Sequence, residues 1–502
     1  MSSGSTSSHQ NSTSGALTVA DISYESLTLL SLLIAGRALV QYSPGHDEDS
    51  GATKLAWSVA YGCCVTIIAF GLTSLLHVNR PGILLLPPLL TLAASTIRRG
   101  PGHGVQATLR TLPLLLTVSA AASSAAYGLR LGNYTGDSFQ LIASARALAQ
   151  NRRGSSALLN PYNFEEFPPG YSLLQLTSSW GGNSANHGLG LLLAFSILVL
   201  LMDALRTTPR PPSNLAIVAV TGLLASAHFF WVMATYVNSH AVVALLLLAA
   251  VLRLSKDAAE RRDDVPFLLA VAALVVLRVE NLLLIALLLT SPLSIRPQSS
   301  ARQLHRVRSA LAVAGTVGVA HQGTVITLYW GAQQTPSRSA LGMAAVALVL
   351  IALALSAPLL VRRRLLPLRW AALALLALNV MYAVLDPTSF AVSARATAQN
   401  LFMWQGGWGI HPPLLLALIV TAAFIGHLLP EDRTEIVPLL QFCLSAALLL
   451  FFTAFLREVP FRIGAGDSLN RQLFHLAPLC MLAIGRSIGA SASKGIRTDI
   501  QH

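Results

Sequence analysis

An aspartate, three glutamates, three arginines and a histidine are the residues whose type and placement suit chemistry. Asp137 stands about eight residues beyond an apolar run ending near residue 129. Thr135 can cap a helix whose first turn holds that aspartate. Phe139, Ile142, Ala145, Leu148 and Ala149 follow at helical spacing, opposite Gln140, Ser144 and Gln150. Such a short amphipathic helix lies on a membrane surface, which places Asp137 at the boundary with water. A carboxylate there can act as a general base; the other reading is a first-turn charge favoured by the helix dipole. Glu165 and Glu166 sit in the segment 160–174, whose tandem proline fixes a rigid bend before Gly170 and Tyr171. They are read as contacting an acceptor or orienting a base, or else as solvated loop charges. Arg278 and Glu280 interrupt the apolar block 266–293. Ionisable groups there are costly and functional by default, although the two can also pair to cap a turn. Arg471 suits bidentate recognition of phosphate, with Arg462 second, and an interfacial anchor is the alternative for both. His475 lies one turn beyond Arg471 on the same face, either as a donor to substrate or as a packing residue. His240, after Tyr236 and Asn238, is a weaker candidate, and Trp404 and Trp408 read as an interfacial aromatic loop or a sugar-stacking surface.

These residues have to be positioned by membrane helices. Of 502 residues, 54% are hydrophobic and 11% charged, with a mean hydropathy of +0.61. Soluble domains carry about 25% charged residues, and a bilayer-crossing helix needs roughly 20 apolar ones. Spanning segments are expected at 24–41, 55–76, 82–97, 111–129, 186–206, 214–232, 238–254, 309–329, 340–361, 369–386, 411–429, 436–456 and 472–488. The stretch 266–293 has basic flanks on both sides, so it is expected to enter and return as two short helices with a polar tip. The net charge of +13 comes from arginines clustered between apolar blocks: Arg98, Arg99 and Arg110; Arg261 and Arg262; Arg302, Arg306 and Arg308; Arg362, Arg363 and Arg364. One topology places all of them inside, as the positive-inside bias requires. It leaves 130–185, 387–410 and 457–471 outside. That distribution argues against nucleic acid as a partner. Residues 1–23 read as a disordered tail, without the features of a signal peptide, and 491–502 as a cytoplasmic tail. Cys63, Cys64, Cys443 and Cys480 lie in apolar segments and read as packing residues. No His or carboxylate cluster has metal-ligand spacing, and no internal repeat or paired interrupted helices point to a transporter.

The aspartate past a spanning helix, the following serine, the Ala145-Arg146-x-Leu148-Ala149 helix and the Pro168-Pro169-Gly170-Tyr171 segment together resemble the first external loop of the GT-C membrane glycosyltransferases. That superfamily includes the protein O-mannosyltransferases and aminoarabinose transferases. Leu277 to Leu283 resembles its Arg-Pro-Glu turn between membrane helices, and Asn470 to Pro478 its Asp-Arg-Tyr-Leu-x-Pro entry to a late helix. Leu141, Val279 and Gln472 depart from the residues usual at those places, which marks a divergent member. The resemblance covers roughly 111–490 and leaves 24–110 as extra N-terminal helices. It implies an all-α, GT-C-like bundle of about 13–15 transmembrane helices with interfacial helices in the first large external loop.

The implied activity is transfer of a sugar from a polyprenyl-phosphate donor to a hydroxyl acceptor on a lipid, protein or polysaccharide, with inversion at the anomeric carbon. The implied place is an inner cell membrane, with the site facing outward. Asp137 matches the catalytic acid. Glu165, Glu166, Tyr171, Arg278, Glu280, Arg462, Arg471 and His475 are the expected substrate contacts, and neither metal nor cofactor is implied. A transporter or flippase, with its charges at the midplane, is the alternative. A polysaccharide ligase or polymerase, with a large late external loop, is a third reading.

Overall fold

The computed structural model describes residues 19–43, 46, 49–76, 78–99, 103–129, 136–150, 165, 168–176, 180, 185–255, 264–295, 301–362, 370–428, 433–455 and 468–499. Among them the regular elements are all helices. They are α1 (Val19–Tyr42), α2 (Gly51–Leu75), α3 (Leu86–Arg99), α4 (His103–Gly128), α5 (Gly136–Ala149), α6 (Gly170–Gln175) and α7 (His187–Arg206). Next come α8 (Asn214–Ser226), α9 (His228–Thr235), α10 (His240–Ser255), α11 (Asp264–Leu277), α12 (Asn281–Thr290), α13 (Ala301–Gly331) and α14 (Arg338–Arg362). The last are α15 (Ala371–Leu385), α16 (Pro387–Phe402), α17 (His411–Leu428), α18 (Arg433–Phe455), α19 (Ser468–Leu473) and α20 (Ala477–Asp499). Helices dominate because a bilayer offers no partner to a backbone N–H or C=O, so each segment must satisfy its own.

Each segment expected to span is, among the described residues, mostly helical. Among the described residues, 8 helices are long and apolar enough to cross a membrane. The segment 214–232 is broken instead: α8 and α9 meet at a 64° bend. The segments 82–97, 238–254, 369–386 and 411–429 form shorter apolar helices. This is a multi-pass membrane protein. α1 begins inside the stretch expected as tail, and α20 runs past 490 to Asp499; residues 1–18 lie outside the described ones.

α10 is the axis of the bundle. Its residues from His240 to Leu254 are all buried, as a helix apolar on every side must be. Sixteen residues make it about 24 Å long, and it carries a polar cluster at each end. At its C-terminal end the Arg253 side chain donates to the Tyr61 hydroxyl (2.7 Å) and the Ser43 hydroxyl (2.9 Å). It also donates to His46 Nε2 and lies over the rings of Trp57 and Tyr61. His46 Nδ1 meets Asp49 at 2.6 Å. The ring thus donates on one side and accepts on the other, which fixes the neutral tautomer. These bonds close the α1–α2 connection onto the core.

The stretch 266–293 enters and returns as the sequence implied. Both ends of the α11–α12 hairpin are tied to the start of α13: Arg306 Nε donates to Asp264 Oδ1 (2.5 Å) and Gln303 Nε2 to the Ser294 carbonyl (2.9 Å). The start of α12 packs farther along α13, where Leu282 lies against Gly318. With 14 residues in α11, the tip at 278–280 stands about 21 Å from those anchors. Close crossings elsewhere depend on missing side chains. A Cβ at Gly36 would come within 1.7 Å of the Ser58 carbonyl, and one at Gly62 within 2.2 Å of the Leu32 carbonyl, so α1 and α2 pack backbone to backbone.

α15 and α17 are largely exposed and apolar, the surface expected to face lipid. Between them Asp386 caps α16 by accepting from the Ser389 N–H (3.0 Å). That bond holds its carboxyl below the usual carboxylate range.

Candidate functional site

At the N-terminal end of α10 three helix breaks converge: residues 236–239 between α9 and α10, the 278–280 tip, and the turn Phe474–Leu476 between α19 and α20. A break redirects side chains and frees backbone groups that a continuous helix would satisfy itself. Here each carries polar residues. Arg471, on α19, sends Nη1 to Asp137 Oδ2 at 2.6 Å and to the Tyr236 hydroxyl at 2.9 Å. Its guanidinium also lies 5.6 Å from the centre of the Tyr236 ring, a cation–π placement. Asp137 sits in the first turn of α5, where the helix dipole favours its charge. Its side chain is 31% exposed and that of Arg471 only 10%. The pair therefore straddles the rim, the acid outward and the cation inward.

Behind Arg471 the polar chain continues into the bundle. His475 Nε2 lies 3.0 Å from His240 Nδ1, and the two rings stack at 5.2 Å. The His240 ring in turn stacks with Tyr236 at 6.3 Å. Gln472 Nε2 donates to Glu280 Oε1 at 2.7 Å, and Arg278 Nε donates to the same oxygen. Arg278 and Glu280 both act electrostatically on His475. All are buried: Arg278 is 8% exposed, Glu280 5%, Gln472 3% and His475 0%.

Two neighbouring segments hold this arrangement. α5 and α6 pack on each other, the Ser172 hydroxyl donating to the Leu141 carbonyl at 3.0 Å. Gly170 then lets α6 press onto the end of α11: a Cβ there would lie 2.6 Å from the Val276 carbonyl, two residues before Arg278. On the other side Asn470 donates to the Gly406 carbonyl (2.9 Å) and accepts from Trp408 Nε1 (2.6 Å). Trp408 is buried against Phe229, ring centres 4.3 Å apart. A Cβ at Gly406 would lie 2.6 Å from the Asn400 carbonyl, so only glycine lets the loop close on Asn470.

The structure brings Asp137, Arg278, Glu280, Arg471 and His475 to one end of α10, and Tyr171 is buried on α6. Glu165 is held elsewhere. Its two oxygens accept from Tyr329 (2.8 Å) and Ser337 (2.6 Å), and at 7% exposure it joins α13 to the start of α14 rather than lying solvated. Glu166, Arg462 and the proposed cap Thr135 lie outside the described residues. Of the apolar face expected to lie against the membrane, Phe139 is 64% exposed, whereas Ile142, Ala145 and Ala149 are buried together with Leu141. A helical wheel groups apolar residues without saying which side meets protein. Trp408 is a packing residue, whereas Trp404 is 65% exposed. Tyr236 and Gln472, neither of them singled out as a site residue from the sequence, join the site. Among the described residues no group of His, Cys, Asp and Glu could hold a metal ion.

Comparison with known proteins adds nothing to this geometry: no family model matches the chain, and neither a curated protein nor a solved structure does.

Proposed function

We propose that the protein is an inverting glycosyltransferase of GT-C type, moving a sugar from a polyprenyl-phosphate donor to a hydroxyl acceptor on the non-cytoplasmic face. The observation that carries this reading is the meeting of Asp137 and Arg471 at 2.6 Å. They come from the two segments whose order resembles the family pattern, 334 residues apart. In the displacement the acceptor oxygen bonds to the anomeric carbon while the bond from that carbon to the phosphate oxygen breaks. A single displacement inverts the carbon. Asp137 takes the hydroxyl proton, and Arg471 holds the charge that the departing phosphate gains.

The resting pair has to open for this. A donor phosphate competes with Asp137 for the guanidinium, and taking it leaves the carboxylate free to accept a proton. Substrate arrival thus arms the base. Tyr236 keeps Arg471 in place meanwhile, through the hydroxyl contact at 2.9 Å.

The test is transfer by purified protein in detergent from radiolabelled polyprenyl-phosphate sugars, wild type against Asp137→Asn. Loss of a general base is expected to slow transfer by about 100-fold or more; equal rates would remove Asp137 from the mechanism. The convergence of three helix breaks favours a second reading, because transporters build their sites from discontinuous helices. Uptake of the labelled donor into sealed proteoliposomes, without product formation, would select it.

A further inference from the structure

Behind the ion pair, the polar atoms are more numerous than the pair requires. Gln472 spends its Nε2 on Glu280 (2.7 Å), so the amide orientation is fixed, and its Oε1 has no partner. His475 spends Nε2 on His240 (3.0 Å), and its Nδ1 has no partner. Asn238 uses Oδ1 to accept from Ser239 N (2.6 Å), which leaves Nδ2 without one. These residues are 3%, 0% and 2% exposed. A buried polar group without a hydrogen bond is destabilising, and such groups are few in native proteins. Three of them here come from two of the converging breaks and from α19 beside them.

The charges are already matched: Arg471 faces Asp137 and Arg278 faces Glu280. What is left over is an amide oxygen, an imidazole nitrogen and an amide NH2, all neutral. A hydroxyl suits such a set because it both donates and accepts. An ammonium or carboxylate would meet no single opposite charge and would lose its hydration for nothing.

We propose that Gln472 and His475, with Asn238, form an inner subsite for an uncharged polyhydroxylated ring. On the glycosyltransferase reading, this is the sugar of the donor whose phosphate Arg471 takes. The transferred sugar is then a neutral one rather than an amino or acidic one.

The experiment is equilibrium binding to the purified full chain in detergent, with three probes: bare polyprenyl phosphate, the same lipid carrying a neutral hexose, and the same lipid carrying an amino sugar. The wild type is expected to bind the neutral hexose lipid about tenfold more tightly than the bare lipid and the amino sugar lipid less well than the hexose one. Gln472→Leu is expected to bind the hexose lipid no more tightly than the bare lipid. Equal binding of bare and hexose lipids by the wild type, or preference for the amino sugar, overturns the subsite. Those comparisons need no variant, so they hold even where Gln472→Leu fails to fold. Absence of binding by every lipid would instead remove the glycosyltransferase reading, and with it the assignment of the subsite to a donor sugar.

Discussion

Arg471 divides a single guanidinium nitrogen between an acid at the rim and a tyrosine in the core. Lysine would carry the charge but could not keep the fork geometry or the stacking on Tyr236. Arg471→Lys is therefore expected to weaken binding of polyprenyl phosphate about tenfold, close to 1.4 kcal/mol, in a direct titration. Unchanged affinity would mean that the phosphate goes elsewhere. The sequence made Asp137 and Arg471 legible because each sits at a break between apolar runs, where a charge needs a reason. It did not reveal Tyr236, because nothing local distinguishes a tyrosine that supports an arginine 235 residues away. Glu165 shows the opposite failure. It was read as a substrate contact or a solvated loop charge, but Tyr329 and Ser337 hold it buried.

Among the elements, α6 is the piece whose position the site depends on most. Gly170 presses against the Val276 carbonyl, so Gly170→Val is expected to push α6 off the Arg278 turn, costing about 1–3 kcal/mol from overpacking and lowering transfer activity. Gly71→Ala is the control, because its new methyl would meet only Leu173 at 3.6 Å, an ordinary contact. Equal thermal stability of the two variants would show that the close approach is unimportant. The α11–α12 hairpin was readable from its basic flanks, since an apolar stretch with both ends on one side must turn back. What anchors it was not. Arg306 and Asp264 are buried partners, and Arg306→Ala is expected to cost about 3–5 kcal/mol by stranding the aspartate. Replacing both by apolar residues should recover most of that loss in thermal unfolding. If the double variant is no better than the single one, the pair is not the anchor.

At the scale of the whole molecule, a central helix joins two polar clusters about 24 Å apart, one holding Asp137 and Arg471, the other Arg253 and Arg306. The periodicity located the helices well, because crossing a bilayer demands long apolar runs. It gave no sign that α8 and α9 meet at a 64° bend. On the positive-inside bias, we propose that the Asp137 end faces outside. Cysteine labelling can check this cleanly, since the four native cysteines are buried. An impermeant maleimide is expected to reach Phe139→Cys in intact cells and Trp370→Cys only after permeabilisation. Labelling of both from one side would contradict the topology. Most direct of all is an experimental structure of the full chain with a polyprenyl-phosphate sugar bound. The expected result is a phosphate within hydrogen-bonding distance of Arg471, with Asp137 released toward the anomeric carbon; donor density elsewhere, over an intact Asp137–Arg471 pair, would contradict the proposed chemistry.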